Sequence, residues 1–358
     1  MNVVSLFSGG GGLDLGFISE GFDVIWAIDN EPNAVATYKK NIGEHIVLAD
    51  INKIDIHQIP KADILIGGPP CQSFSLAGKR DKADPRGMLV WRYLEILKYI
   101  KPKAFVFENV TGLQSAKNSD GIKVLEILQA EFKKLGYSIS TQVMNAVEYG
   151  VPQRRKRLII VGLRGGMDFQ FPLRTHGDNL IPYVSVSDAL DDLKDITADD
   201  SSLVSYLQPP KTDYQALMRN MNNLQVSEHI TPQMSKLDKY IISHVKQGGN
   251  YMDIPKDVAS ARIKRLQEQG GHTTCYGRLD ETKPAYTINT YFNRPNVGCN
   301  IHYANDRLIT VREALRLQSF PDSYELVSTS KQGKHKLVGN AVPPLLAKAI
   351  AKRLKEYL

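Results

Sequence analysis

The feature that most constrains the fold of this chain is the alternation of short aliphatic runs with helical patterns over residues 1–175. Between the runs, apolar residues recur at spacings of three and four, which is typical of amphipathic helices. The predicted strands are Val3–Phe7, Phe22–Ile28, His45–Leu48, Asp63–Gly67, Ala104–Glu108, Ser138–Val143 and Arg157–Gly162, and the predicted helices are Glu31–Asn41, Leu89–Tyr99 and Ile122–Leu135. This order predicts an α/β fold with a doubly wound, mostly parallel sheet.

The periodicity weakens after Pro172, which predicts a domain boundary. An acidic stretch, Ser187–Asp200, leads there into polar sequence with paired prolines at Pro209 and Pro210. We therefore expect a catalytic and cofactor-binding domain over residues 1–175 and a second, smaller, loop-rich domain over residues 176–330. Residues 331–358 are expected to return to the first domain, because the C-terminal helix has an apolar face for which the N-terminal sheet is the expected partner.

Cysteine usage and charge exclude several classes of protein. The chain has 3 cysteines, at 71, 275 and 299, which excludes a disulfide framework, and their spacing is not that of metal ligands. No basic leader followed by a long apolar stretch is present, and no run approaches the roughly 18 apolar residues of a membrane helix. We expect a cytoplasmic protein without a metal. The net charge of +7 permits a polyanionic partner without requiring one.

A glycine-rich turn, Phe7 to Gly12, directly follows the first predicted strand. Glycines at a strand-to-helix turn let the backbone approach a ligand, and the N-terminus of the following helix favours negative groups. Asp29 ends the second predicted strand, where a carboxylate can accept hydrogen bonds from ribose hydroxyls. Asp50 follows the third strand and is a candidate for contact with an adenine edge. The pattern favours a nucleoside-like cofactor, and the alternative is a tight turn with a capping aspartate.

Cys71 stands in the sequence Gly-Gly-Pro-Pro-Cys-Gln-Ser-Phe-Ser, residues 67–75, directly after a predicted strand. The two prolines stiffen the backbone before the cysteine and place its sulfur at the carboxyl edge of the sheet, where open α/β folds bind ligands. A lone cysteine is more often buried and inert. In this setting Cys71 is a candidate nucleophile.

Two further motifs carry charge to the same region. Glu108 ends the apolar strand Ala104–Glu108, where partial desolvation would raise its pKa and suit it to donate a proton. The run Gln-Arg-Arg-Lys-Arg, residues 153–157, leads into the last predicted strand. Alternation along a strand places Arg155 and Arg157 on one face, so that both guanidinium groups can converge on one ligand. A helix cap and a solvated edge are the alternatives for these two motifs.

Five motifs in this order, FSGGGG, GGPPCQSFS, ENV, QRRKR and GNAVPP, resemble those of the DNA (cytosine-5)-methyltransferase family, most closely its bacterial restriction-modification type. The likeness extends over residues 1–175 and 278–358, and Arg278–Tyr324 is similar to the family's late motif that structures the target-recognition domain. Residues 201–275 match nothing that can be carried over. Ser5 is a departure, because family members often have Asp there, and the methionine end of the cofactor is expected to be held slightly differently.

The resemblance implies roles for individual residues. Cys71 would be the nucleophile, and Glu108 would bind the N3 and N4 edge of cytosine. Arg157 would contact the cytosine O2, and Arg155 would support the catalytic loop and a phosphate. The residues that the resemblance assigns to S-adenosyl-L-methionine are Phe7, Gly9, Gly11, Asp29, Asp50, Ile51, Pro70, Asn340 and Val342. The Gly339–Pro344 motif that contains the last two is expected to open the C-terminal helix.

The implied activity is methyl transfer to carbon 5 of a cytosine flipped out of a specific double-stranded DNA sequence, through a covalent Cys71 intermediate. The basic stretch Ser73–Arg92 is expected to be a mobile loop that closes over the base and its phosphates. The resemblance also implies a monomer in the bacterial cytoplasm, paired functionally with a cognate restriction endonuclease.

Other functions fit the residues less well. Methyltransferases that act on exocyclic amines have Asp/Asn-Pro-Pro-aromatic where this chain has Gly-Pro-Pro-Cys. A cytosine-5 methyltransferase of tRNA is the nearest alternative, and the long distinct segment 176–277 favours DNA. A non-catalytic DNA-binding regulator would not need Cys71, Glu108, Arg155 and Arg157 together. A nicotinamide-dependent oxidoreductase would explain the glycine turn but neither Cys71 nor Glu108.

Overall fold

A computed structural model describes residues 1–70, 88–118, 120–197, 203–219, 224–328 and 330–358. The chain divides into two compact units. The first unit comprises Met1–Asn145, Lys156–Arg174 and Pro344–Leu358, and the second comprises Ala146–Arg155 and Thr175–Pro343. Residues Ala146–Arg155 therefore belong to the second unit, although the residues on either side of them belong to the first. The predicted roles of the two domains stay predictions.

The first unit is built on a sheet whose described strands confirm the predicted ones, with ends that differ by at most two residues. The strands are β1 (Asn2–Leu6), β2 (Asp23–Asp29), β3 (Ile46–Leu48), β4 (Ile64–Gly67), β5 (Ala104–Asn109), β6 (Tyr137–Asn145) and β7 (Lys156–Arg164). Their order is β3-β2-β1-β4-β5-β7-β6. The pairs among β1 to β5 are parallel, and β7 runs antiparallel to both β5 and β6. The predicted mostly parallel sheet is confirmed.

Helices cover both faces of this sheet, as a doubly wound fold requires. The first unit contains α1 (Gly12–Ser19), α2 (Pro32–Asn41), α3 (Met88–Ile100), α4 (Val124–Lys134) and the C-terminal helix, which is the last in the chain (Pro344–Lys355). On one face, Phe105 and Phe107 of β5 pack with Tyr93 of α3 and Phe132 of α4 in one apolar cluster. On the other face, Ala27 of β2 packs with residues of α2.

The C-terminal helix packs closely against α1. A Cβ atom built on Gly16 of α1 would lie 2.3 Å from the Cβ of Ala347, so only glycine allows this approach. The side chain of Lys355 donates to the carbonyl of Glu20 at the end of the same contact, at 2.8 Å. The partner that the sequence analysis expected for this helix was the sheet, and the structure shows α1 in contact with it.

The second unit combines short helices with one two-stranded ribbon. Its helices are α5 (Val186–Leu190), α6 (Asp213–Met218), α7 (Lys236–Ile242), α8 (Ala261–Gln269), α9 (Val311–Leu317) and α10 (Lys331–Asn340), and its antiparallel strands are β8 (Leu203–Ser205) and β9 (Gln225–Ser227). The C-terminal helix is accordingly α11. Arg316 of α9 is fully buried between Asp192 and Asp322, each at 2.5 Å.

Two expectations about local structure are corrected here. Pro344, the last residue of the Gly339–Pro344 motif, opens α11 as expected, but Gly339 and Asn340 are the last residues of the preceding helix α10. The last five residues of the predicted mobile loop, 88–92, belong to α3. The rest of that loop, 73–87, lies outside the described residues. Within the part of the chain that the structure describes, no helix is both long and apolar enough to cross a membrane.

Candidate active site

The glycine turn connects β1 to α1 with an unusual backbone. Phe7 and Gly9 both have a φ of 56°, and Gly11 has a φ of 86°. A non-glycine residue is rarely found there, which makes Phe7 a strained position. A Cβ atom on Gly11 would lie 2.1 Å from Cδ1 of Ile42, whereas one on Gly9 would meet nothing within 4 Å. Gly11 is therefore required by packing, and open space lies beside Gly9.

Asp29, at the end of β2, lies directly beside this turn. Its Oδ2 accepts a hydrogen bond from the amide of Gly9 at 2.9 Å, and its Oδ1 accepts one from the amide of Glu31 at 2.9 Å. Burial raises the pKa of Asp29, against the effect of these two backbone donors. The carboxylate thus joins the glycine turn to the start of α2 and borders the open space at Gly9.

Ser5 is fully buried, and its hydroxyl donates to Oδ2 of Asp14 at 3.0 Å. Asp14 lies in the first turn of α1, and its Oδ1 accepts from the hydroxyl of Tyr38 at 2.9 Å. Ser8 donates to the Ser5 hydroxyl at 2.9 Å, and the Tyr38 hydroxyl lies 3.0 Å from Nε2 of His45. Complete burial raises the pKa of Asp14 to about 6. We name Ser5, Ser8, Asp14, Tyr38 and His45 the buried polar chain.

The remaining predicted cofactor residues of the first unit follow β3 and β4. Asp50 is half-buried and accepts from the amide of Asn52 at 3.0 Å, while the side chain of Ile51 is buried. Pro70 is exposed three residues after β4. Since β3, β2, β1 and β4 are consecutive in the sheet, all these residues lie along one carboxyl edge.

The Gly-Gly-Pro-Pro segment after β4 is fixed by β5. A Cβ atom on Gly68 would lie 2.6 Å from Oε2 of Glu108, so the Glu108 carboxylate occupies the space above this glycine. Asn109 is buried, and its amide donates to the carbonyl of Pro69 at 2.9 Å. Sequence reasoning gave no role to Gly68 or Asn109, because both act through contacts between strands. The only sequence signal was their place in the GGPP and ENV motifs.

Glu108 and Arg157 form an ion pair. Oε1 of Glu108 lies 2.8 Å from Nε of Arg157, and each side chain is 12% exposed. The pair follows from the sheet, because β5 and β7 are neighbours and place Glu108 opposite Ile159, two residues from Arg157. The structure thus brings together two of the predicted catalytic residues. Cys71 lies outside the described residues.

Three predicted residues belong to the second unit. Arg155 is fully buried, and its guanidinium donates to the carbonyls of Ile288 at 3.0 Å and Gly339 at 2.8 Å. The predicted phosphate contact would require the Arg155 guanidinium to be exposed. The predicted support of the loop 73–87 by Arg155 concerns residues outside the described ones. Asn340 is exposed at the end of α10, and Val342 is half-buried in the link to α11. Arg155 and Arg157 thus lie in different units.

The described side chains offer no metal site: no group of three or more His, Cys, Asp and Glu residues among them is arranged to hold an ion. What they offer is a carboxylate beside a guanidinium at one sheet edge and a glycine turn with an adjacent acid. This arrangement suits recognition of a polar ring edge and of a nucleoside-like group.

Comparisons with known proteins identify the family. The family described as C-5 cytosine-specific DNA methylase matches residues 1–356. The type II methyltransferase M.AgeI of Thalassovita gelatinovora is 31% identical, with 99% of both chains covered. The type II methyltransferase M.FnuDI of Fusobacterium nucleatum is 34% identical over 100% of this chain and 95% of its own.

A solved structure from E. coli, described as a prophage-encoded DNA modification methyltransferase, is similar over 99% of both chains, with a TM-score of 0.76 at 25% identity. The Dnmt2 methyltransferase of S. pombe shares the fold, with a TM-score of 0.61 at 17% identity over 100% of this chain. The chain therefore belongs to the family of C-5 cytosine-specific DNA methylases and is a DNA (cytosine-5-)-methyltransferase.

Proposed function

We propose that this enzyme transfers a methyl group from S-adenosyl-L-methionine to carbon 5 of a cytosine that is flipped out of a specific double-stranded DNA sequence, through a covalent bond to Cys71. The observation that carries the proposal is the Glu108–Arg157 pair at the carboxyl edge of the sheet. It lies beside the Gly67–Pro70 segment that leads into Cys71 and that Asn109 holds through Pro69.

The pair matches one edge of cytosine. A guanidinium N–H can donate to O2 of the ring, and a carboxyl group in contact with it can bind the adjacent N3 and N4 positions. Both side chains are mostly buried, so these hydrogen bonds would form in an environment of low dielectric constant, where they are stronger than in water. A stacked base cannot present this edge to a sheet, and base flipping is therefore part of the proposal.

The glycine turn and Asp29 fit the cofactor. The open space beside Gly9 gives room for a ligand, and the Asp29 carboxylate that borders it can accept ribose hydroxyls. Phe7, Gly11, Asp50, Ile51 and Pro70 would complete the contacts along the same edge, and the resemblance adds Asn340 and Val342. When bound, S-adenosyl-L-methionine supplies an electrophilic methyl group on a sulfonium centre.

The residues of the chain prepare the ring for this transfer. Carbon 5 of cytosine is a poor nucleophile until electron density is moved onto it. The Cys71 thiolate forms a bond to C6 while the Glu108 carboxyl delivers a proton to N3, which leaves C5 as the nucleophilic carbon of an enamine. After C5 is methylated, a base removes its proton, the C6–S bond breaks and the thiolate leaves, and the N3 proton returns to the Glu108 carboxylate. Arg157 holds O2 throughout and keeps the ring in place.

The biological role follows from the relatives. Both curated relatives described above are type II methyltransferases. The proposal therefore includes a monomeric enzyme in the bacterial cytoplasm that protects host DNA at the recognition sequence of a paired restriction endonuclease. The net charge of +7 is compatible with a polyanionic substrate.

Bisulfite sequencing of DNA from cells that express the chain tests the proposal and reads the recognition sequence. We expect one methylated motif for wild type, none for Cys71→Ser, and the wild-type motif for Cys275→Ser, which removes a half-buried cysteine elsewhere. Methylation of RNA in place of DNA, or methylated DNA from Cys71→Ser, would contradict the proposal.

A further inference from the structure

We propose that Gln153 is a positioning residue that sets the conformation of the loop 289–298 in the second unit, and that this loop contacts the target DNA. The second half of this inference rests on the proposed function, and the first half does not. Gln153 opens the QRRKR motif, and neither the sequence nor the proposed mechanism gives it a task.

The side chain of Gln153 is fully buried and bonded at both ends of its amide. Its Oε1 accepts from the backbone amide of Ile288 at 2.9 Å, and its Nε2 donates to the carbonyl of Leu317 at 3.1 Å. If the amide were reversed, its NH2 group would face the Ile288 amide and its oxygen would face the Leu317 carbonyl, and neither pair can form a hydrogen bond. The orientation of the side-chain amide is therefore fixed. Gln153 thus ties the start of the loop to the end of α9.

The neighbours of Gln153 hold the same short segment. The Arg155 guanidinium donates to the carbonyl of Ile288 at 3.0 Å, so both backbone polar groups of Ile288 are bonded by side chains. The amide of Arg154 donates to the carbonyl of Ala285 at 2.8 Å, and Thr287 donates to the carbonyl of Arg154 at 2.7 Å. These contacts therefore fix the conformation of the backbone that leads into the loop.

The loop is also held where it passes α10. Phe292 is fully buried, with its ring edge-on to His335 at a centroid distance of 4.6 Å. A Cβ atom on Gly339 would lie 2.5 Å from the backbone of Asn289 and of Thr290. The main chain of the loop lies against the last turn of α10, and only a glycine permits this.

The outer side of the loop has the chemistry of a nucleic-acid contact. Tyr291 is 45% exposed, and the Arg294 guanidinium lies 5.1 Å from the centre of its ring. Residues 284–305 contain no Asp or Glu. Arginine binds base edges in the major groove, and both arginine and tyrosine bind phosphates. Such readout needs side chains held to within about 0.5 Å of their productive positions. The buried hydrogen bonds of Gln153 and Arg155 restrict the backbone that leads to these side chains.

Gln215 provides a matched control. It is also a fully buried glutamine of the second unit, and its Oε1 accepts from the amide of Lys211 at 2.7 Å near the start of α6. Gln215→Ala therefore removes a comparable buried bond that does not touch the loop. A general loss of stability would appear in both variants.

Amide hydrogen exchange of the free protein tests the positioning role. We expect exchange over residues 285–298 to become about 5- to 30-fold faster in Gln153→Ala, the range for one lost buried hydrogen bond, and to be unchanged in Gln215→Ala. Duplex DNA should slow exchange over 289–298 in wild type. Unchanged protection of the segment in Gln153→Ala, or no effect of DNA on the loop, would overturn the inference.

Discrimination between DNA sites tests the functional role. The ratio of methylation rates at the recognition sequence and at a site with one changed base should fall by about 5- to 150-fold in Gln153→Ala and Arg294→Gln, and stay unchanged in Gln215→Ala. A loosened loop with an unchanged ratio would overturn the inference. If Gln153→Ala does not fold, Gln153→Met keeps the volume of the side chain and removes both amide hydrogen bonds, and the same faster exchange and lower ratio are expected. A wild type that binds DNA without methylating it would contradict the proposed function alone.

Discussion

The carboxyl edge of the sheet and the loop 289–298 are held in place by different kinds of contact. At the sheet edge, Asp29, Glu108 and Arg157 lie on strands, and the side chains that we propose to act are the ones that the strands carry. In the loop, buried side chains of Gln153 and Arg155 bind the backbone, and other residues face outwards. The difference teaches that, under the two proposals, strands position the functional side chains at the sheet edge, whereas buried hydrogen bonds to the backbone position the loop and leave its outer side chains exposed.

The largest effect is expected for Cys71, which follows the Gly67–Pro70 segment in the sequence. Cys71→Ser should abolish methylation while cofactor and DNA binding persist, because only the covalent step requires the thiolate. Duplex DNA with 5-fluorocytosine at the target should trap wild type in an adduct stable to denaturant, since fluorine cannot leave as a proton does. Gel electrophoresis under denaturing conditions detects this adduct. A wild type that methylates DNA yet never forms the adduct would rule out the Cys71 mechanism.

Glu108→Gln comes next, because it keeps the shape of the side chain but cannot transfer a proton. We expect single-turnover methyl transfer to fall by about 10²–10⁴, the range for loss of a general acid, with far less change in DNA affinity. Rapid-quench kinetics and a binding isotherm measure the two quantities. This result separates the two regions, because Gln153→Ala should lower the ratio of methylation rates at the recognition sequence and at a changed site, whereas Glu108→Gln should lower both rates alike. A Glu108→Gln rate that only follows lost DNA binding would make Glu108 structural.

The sequence predicted the sheet edge and the loop 289–298 to different extents. Strands of the first unit are short, apolar runs bounded by turns, and their periodicity predicted β1 to β7. Helix α9 was missed because Arg312, Glu313 and Arg316 are buried there together with apolar residues, so the helix has no polar face. The Thr310 to Glu313 capping box was the available signal. Contacts such as Gln153 with Ile288 join residues 135 positions apart, and no local pattern reports them.

A smaller effect is expected for the cofactor side of the sheet edge. Asp29→Ala should weaken S-adenosyl-L-methionine binding by about 1–3 kcal/mol, because it removes a partly buried acceptor that also holds the amide of Gly9. Titration calorimetry measures the affinity, and Asp50→Ala serves as a comparison, since Asp50 is also half-buried but caps only a local turn. We expect the smaller loss for Asp50→Ala. An unchanged affinity in Asp29→Ala would show that the ribose assignment is wrong and that Asp29 only braces the glycine turn.

The smallest effect concerns Asp14, which is buried beneath the sheet edge and belongs to no predicted site. Its pKa is raised to about 6 from 3.8, mainly by burial, and the opposing donors are Ser5 and Tyr38. A raised pKa means that the folded state holds the proton more tightly than the unfolded chain. The resulting stability is present at low pH and is lost as the pH rises through about 6.

Urea unfolding of wild type and Asp14→Asn at pH 4.5 and 7.5 measures this linkage. Other titrating groups contribute to both proteins, so the quantity of interest is the difference between them. Relative to Asp14→Asn, wild type should lose about 2 kcal/mol between the two pH values, because the two pKa values differ by about two units. His45, at the far end of the buried polar chain, has its pKa lowered by burial and stays mostly neutral at the upper pH. A parallel pH dependence in the two proteins would show that Asp14 does not change its charge in this range. A loss of methylation in Asp14→Asn at equal stability would show that Asp14 takes part in catalysis or cofactor binding and does not only stabilise the fold.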